Sequence, residues 1–208
     1  MNQRHWEDVY SRKAADQVSW FQPHLERSLQ FVDEAKLPAD AAIIDVGGGA
    51  STFVDDLLGR GFSDLTVVDL SARALEIARA RLGARGASVQ WLVGDITTLE
   101  LPEHRYDFWH DRAVFHFLTD PLQRARYVEL VRKSLKPGGH IVVATFSPDG
   151  PTRCSGLDVT QYSEGAIHAV FGPDFAPIGC VRETHHTPSG ASQEFLYCEC
   201  RLLRDAAT

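Results

Sequence analysis

From Ala41 to Ser147, short apolar, β-branched runs alternate with segments of helical period, the pattern that builds βαβ units around a parallel sheet. Ala41 to Val46 predicts a first strand, which Gly47, Gly48 and Gly49 end. Ser51 or Thr52 caps the next helix, with Asp55 as a capping-box partner and Gly59 and Gly61 as the stop. Leu65–Asp69 is a second strand; Ser71 caps a helix through Leu75, Ala78 and Leu82 that Gly83 closes; Val89–Val93 is a third strand. Tyr106–His110 predicts a fourth, Asp120-Pro121 opens a long helix, and Lys136-Pro137-Gly138-Gly139 turns into a fifth strand, His140–Phe146. These strands are nearly continuous apolar runs, as strands covered on both faces are.

After Ser147 comes a Pro- and Gly-rich loop (148–156), a short helix around Tyr162 to Phe171, and two strands, Cys180–His186 and Ser192–Leu203, which the turn Thr187-Pro188-Ser189-Gly190 joins as a hairpin. The first forty residues carry Trp6, Tyr10, Trp20 and Phe21 among charged positions and read as helical segments laid over the sheet's edge, a lid. A length of 208 residues with 44% hydrophobic composition suits one domain, divided into a helical segment at 1–40, βα units at 41–147 and a loop plus hairpin at 148–208.

The start of the chain has no apolar stretch behind a basic cluster and no run long enough to span a bilayer, so we expect a cytoplasmic protein without membrane attachment. A net charge of −7 disfavours a nucleic-acid partner. Cys154, Cys180, Cys198 and Cys200 show no paired CxxC spacing, so reduced thiols are expected, with Cys198 and Cys200 as core thiols on one face of the last strand. No metal site is expected, and oligomeric state is not encoded in any pattern here.

The chemistry concentrates where an open parallel sheet binds ligands, beyond the strands' carboxyl ends next to the first strand. Gly47 and Gly49 let backbone approach a ligand there. Asp45 precedes the glycines, Asp69 ends the second strand twenty residues beyond Gly49, where it can accept both hydroxyls of a ribose, and Gly94-Asp95-Ile96 ends the third, where an adenine ring would lie. A nicotinamide-dinucleotide fingerprint fails, because counting on from Gly47 and Gly49 puts Thr52 at its third glycine.

Over roughly 43–203 the sequence resembles the class I S-adenosylmethionine methyltransferases. The likeness rests on the loop Asp45-Val46-Gly47-Gly48-Gly49-Ala50-Ser51, on Asp69, Asp95-Ile96, Tyr106-Asp107 and Lys136–Gly139, and on the terminal hairpin. One departure is Ser51 at the loop's last small position. The resemblance implies an α/β, Rossmann-like, doubly wound seven-stranded sheet, mostly parallel with an antiparallel C-terminal hairpin. It implies S-adenosylmethionine as cofactor and S-adenosylhomocysteine as product. The glycine loop would then meet the methionine part, Asp69 and its neighbour Leu70 the ribose, Asp95 and Ile96 the adenine, and Asp111 or Arg112 the sulfonium edge. The segments Trp6–Tyr10, Ser19–Phe21, Cys154–Leu157 and Gln193–Cys198 resemble a narrower group of small bacterial methyltransferases.

For the acceptor we expect a small molecule, a thiol or other soft nucleophile, bounded by Tyr10, Trp20, the segment from Asp111 to His116, and Cys154. His116, just after strand four, is the first candidate for a base, with Asp111 beside it. No Asn/Asp-Pro-Pro-aromatic motif follows strand four, which argues against DNA-amino and glutamine acceptors. A protein lysine, or cofactor binding without catalysis, are the alternatives.

Overall fold

The computed structural model describes residues 2–203. Its strands are β1 (Ala42–Val46), β2 (Asp64–Asp69), β3 (Val89–Val93), β4 (Tyr106–Arg112), β5 (Leu135–Phe146), β6 (Arg153–Cys154), β7 (Leu157–Asp158), β8 (Phe175–His186) and β9 (Ser192–Leu202). The helices are α1 (Gln3–Arg12), α2 (Glu26–Glu34), α3 (Phe53–Gly59), α4 (Ala72–Leu82), α5 (Pro121–Ser134) and α6 (Glu164–Phe171). Seven strands form one sheet in the order β3-β2-β1-β4-β5-β9-β8. β1 to β5 pair in parallel, whereas β9 runs antiparallel to β5 and β8 antiparallel to β9. This is the expected doubly wound sheet, and its winding reverses at β1 and β4, which places the ligand edge at their carboxyl ends.

The period of two along each strand divides the core. Ile44, Trp109 and Val143 face α5 and α6 with Tyr127, Val131, Ile167 and Phe171. Ile43, Phe108 and Val142 face α2, α3 and α4 with Leu29, Phe53 and Leu75. Both faces are therefore sealed, which is why these strands carry so few polar residues.

Four expectations are corrected. Lys136–Gly139 lies inside β5 rather than ahead of it: Leu135 pairs with Tyr106, and a register shift follows before Phe108 meets His140. Gly138 takes φ +85° there, and a Cβ on Gly139 would stand 2.9 Å from the Lys136 carbonyl, so the Gly-Gly pair builds an irregularity within a strand. Asp55 makes no capping box; it pairs with Arg81 at 2.6 Å, while Ser51 Oγ accepts from the Phe53 amide at 3.2 Å. The 148–156 loop contains half of a small hairpin, β6 and β7, turned by Ser155 and Gly156 at φ +51° and +80°. Lastly, Cys180 and Cys198 are not reduced thiols but form a disulfide, because the β8–β9 register sets them opposite one another; Cys200 and Cys154 remain free and buried.

Candidate active site

The glycine turn after β1 is held in place from two sides. Arg81, at the end of α4, donates to the Ala50 carbonyl at 2.8 Å and to Ser51, and pairs with Asp55. At the other end of α4, Glu7 of α1 accepts from the Ala72 amide at 2.7 Å, satisfying a helix N-terminus that Ser71 also caps. The glycines are sterically required. A Cβ on Gly47 (φ +70°) would collide with Val114, and one on Gly49 (φ +37°) would lie 2.6 Å from Asp69 Oδ2.

Beside this turn is a cleft with an empty volume of about 620 Å³, counted out to its open mouth. It is lined by Asp69 and Leu70 at the end of β2, by Gly94 and Ile96 after β3, and by Tyr10, Trp20, Arg112 and Cys154. Asp69 uses Oδ1 to accept from the Ser71 amide at 2.8 Å, leaving Oδ2 beside Gly49. Burial, and to a lesser degree the nearby carboxylates of Asp45 and Glu7, raise its pKa to about 7. This cradle fits an adenosyl sulfonium cofactor: a carboxylate aimed at a diol, an apolar slot for a ring, and bare backbone where a polar tail would pass.

Of the N-terminal aromatics, Trp6, Tyr10 and Trp20 line this cleft and Phe21 does not. Trp6 stacks edge-on with Trp20 (5.7 Å) and Phe117 (5.1 Å), and Tyr10 reaches Trp20 at 6.2 Å. Trp6, Ala113 and Val114 fall in segments expected to bound the pocket, Phe117 extends that wall by one residue past His116, and no local signal marks Glu7 as the cap of a helix 65 positions away.

Several expected site residues sit elsewhere. Asp45 is buried behind the glycine turn, with Oδ1 bonded to His110 Nδ1 at 2.7 Å; His110 Nε2 in turn meets Ser28 Oγ at 2.8 Å. That Asp-His-Ser line has the composition of a nucleophilic triad, yet Ser28 is 0% exposed, so it ties α2 to β1 and β4. Asp111 is spent on structure: it accepts from the amides of Val114 (3.0 Å) and Phe115 (3.2 Å) and from Tyr127 Oη (2.7 Å), and holds the turn that presents Ala113 and Val114. Burial raises its pKa to about 6, against the effect of those donors. Asp95, between the cleft residues Gly94 and Ile96, accepts from the Thr97 amide and hydroxyl. His116 is fully buried against Phe146 and Phe117, outside the cleft, with both ring nitrogens unpartnered, and burial drives its pKa down to about 3. The structure does not bring His116 or Asp111 to the cleft as bases.

Arg112 is different. Its Nε donates to Tyr197 Oη at 2.9 Å, Nη1 to the Trp20 carbonyl at 2.8 Å, and the guanidinium lies 4.8 Å over the Phe195 ring. Nη2 has no hydrogen-bond partner, and among the described residues no carboxylate pairs with this cation. Cys154, 5% exposed, has its thiol pushed up to about 11 by burial.

Residues 43–139 match the family model described as a methyltransferase domain. The doubly wound sheet with its antiparallel β9-β8 pair accompanies this match, so residues 43–139 are similar in sequence to methyltransferase domains and sit in a Rossmann-like fold. The chain is 23% identical over 155 residues to human (Homo sapiens) EEF1A lysine methyltransferase 2, covering 68% of this chain and 66% of that protein. It is 34% identical over 131 residues to malonyl-[acyl-carrier protein] O-methyltransferase of Halalkalibacterium halodurans, covering 59% and 46%. The chain thus spans less than two thirds of these relatives. The fold matches that of the N-methyltransferase NodS from Bradyrhizobium japonicum, solved with S-adenosyl-L-homocysteine, with a TM-score of 0.70 over 94% of this chain and 97% of that one at 20% identity. No helix among the described residues is long and apolar enough to cross a membrane.

Proposed function

We propose that the chain transfers the methyl group of S-adenosylmethionine to a small acceptor that enters the cleft as a soft anion, a thiolate being the type case. The observation that carries this reading is the acceptor end of the cleft, whose wall includes the cation Arg112, with its buried Nη2 unpaired, and neither of the expected bases His116 and Asp111. Its other ionisable groups are Tyr10 and Cys154, whose burial raises both pKa values and removes them as proton acceptors at neutral pH.

Within this reading Asp69 accepts from the ribose diol with Leu70 beside it, Ile96 lies against the adenine, Asp95 stands at its edge, and Gly47 and Gly49 admit the methionine part. The bound cofactor supplies a methyl group already activated on a sulfonium. What remains for the chain is alignment and exclusion of water. Arg112 holds the anion by charge, and Trp6, Trp20 and Phe117 strip water from it. With the cofactor bound, the acceptor sulfur would take the methyl group and the broken bond's electron pair would leave with the thioether, so Arg112 and the aromatic wall would have only to orient and shield the acceptor. The proton has already gone to solvent, since a thiol of pKa about 8.5 is a few per cent ionised at neutral pH.

The test is release of S-adenosylhomocysteine from a panel of thiols, phenols, amines and protein extract across a pH series. Thiol turnover that follows each thiol's own ionisation is expected. Preferred turnover of a phenol, an amine or a protein lysine at neutral pH overturns the acceptor class, and cofactor binding with no product from any acceptor overturns catalysis.

A further inference from the structure

Away from the cleft, on the face of the sheet that packs against α6, three donor atoms from three elements converge. His168 of α6, Cys180 of β8 and Cys198 of β9 place their ligand atoms within 4.8 Å of one another. We propose that this cluster is a redox-gated site for a thiophilic divalent cation such as Zn²⁺, closed while Cys180 and Cys198 are joined and open when they are reduced.

Three observations carry it. The first is composition: once the disulfide is reduced, imidazole plus two thiolates is a donor set such cations prefer. The second is spacing. Two ligands on one tetrahedral zinc, at about 2.05 Å for nitrogen and about 2.3 Å for sulfur, stand about 3.5 Å apart. His168 Nε2 lies 3.6 Å from Cys180 Sγ. The third is access: Cys198 is buried in the apolar cluster with Val143 and Ile167, while His168 and Cys180 are half-buried, which leaves solvent a route to deliver the ion and a water as fourth ligand.

The chemistry balances in two steps. A low-molecular-weight disulfide takes two electrons and two protons from the thiol pair, giving two small thiols and the Cys180–Cys198 bond, and the reverse exchange reopens it. The reduced pair then binds one divalent cation and releases two thiol protons. Tyr197, whose hydroxyl accepts from Arg112, alternates with Cys198 along β9 and points to the opposite face, so metal binding and methyl transfer have separate readouts.

The full chain, reduced with dithiothreitol and desalted without oxygen, is titrated with Co²⁺ and followed by thiolate-to-cobalt charge transfer and tetrahedral ligand-field bands. One equivalent per chain is expected, displaced by Zn²⁺, with none bound after oxidation by diamide. His168→Ala should weaken binding at least tenfold, and Cys198→Ser or the half-exposed Cys180→Ser should abolish the charge-transfer band. Circular dichroism checks that each variant is folded, and Cys154 and Cys200 remain in all of them as internal controls. A reduced protein that binds no Co²⁺, equal binding in Cys180→Ser, undiminished binding after oxidation, or a disulfide that dithiothreitol does not open would each overturn the proposal.

Discussion

Replacing Asp69 by Asn should move stability and cofactor affinity in opposite directions. A carboxyl carried from its ordinary value near 4 up to about 7 has its charged form disfavoured by about 4 kcal/mol. Asn keeps the oxygen that accepts from the Ser71 amide and sheds the charge. Allowing for relaxation, the apo variant should gain about 1–3 kcal/mol at pH 8, roughly 3–10 °C in Tm for a chain of this size. The pH dependence fixes the sign. Between its unfolded value and about 7, the folded carboxyl holds a proton that the unfolded one has lost, so through this group wild-type stability falls as pH rises across that window. The gain of the variant should therefore vanish toward pH 4. Its S-adenosylmethionine affinity should drop by about 1.5–3 kcal/mol, ten- to hundredfold, because a charge-assisted acceptor for the ribose is gone. Thermal unfolding of the apo protein at several pH values, with calorimetric titration of the cofactor, measures both. An unchanged Tm at pH 8, or a cofactor Kd within twofold of wild type, would refute the placement of a buried, ligand-facing charge at Asp69.

In wild type, S-adenosylmethionine binding should weaken about tenfold per pH unit below 7 as Asp69, which faces Tyr10, Asp45 and Glu7, takes up its proton; a flat calorimetric profile between pH 5.5 and 7.5 counts against it. Arg112→Met should raise the acceptor KM at least tenfold while moving cofactor Kd less than threefold in the same titration, and the reverse pattern would assign the guanidinium to the cofactor's carboxylate. Gly49→Ala puts a methyl group 2.6 Å from Asp69 Oδ2 and should reduce cofactor affinity on the order of a hundredfold in a folded protein; retained binding means the turn relaxes without loss. His116→Leu removes a buried ring with no hydrogen bonds and should leave turnover within about twofold at equal or higher Tm, whereas a tenfold loss of kcat would return His116 to the chemistry.

The alternation from Ala41 to Ser147 already contained the parallel sheet, because strands covered on both faces leave a continuous apolar record and glycines mark their ends. Gly47, Asp69 and Ile96, which line the cleft, could be picked out for the same reason: local backbone geometry and position at a strand end are properties of a few neighbouring residues. What tertiary structure decided is every pairing across distance. Whether His116 lines a cleft or points into Phe146 depends on the turn that Asp111 holds, and that turn depends on Tyr127 sixteen positions on. Arg112 lines the cleft with two of its donors taken by Trp20 and Tyr197 and the third unpaired, an arrangement that depends on both of those distant residues. Glu7 found α4, and Cys180 found Cys198, through packing and strand register. Neither a 3.6-residue nor a 2-residue period carries information about which distant element will supply the partner, so those contacts are written only in the folded chain.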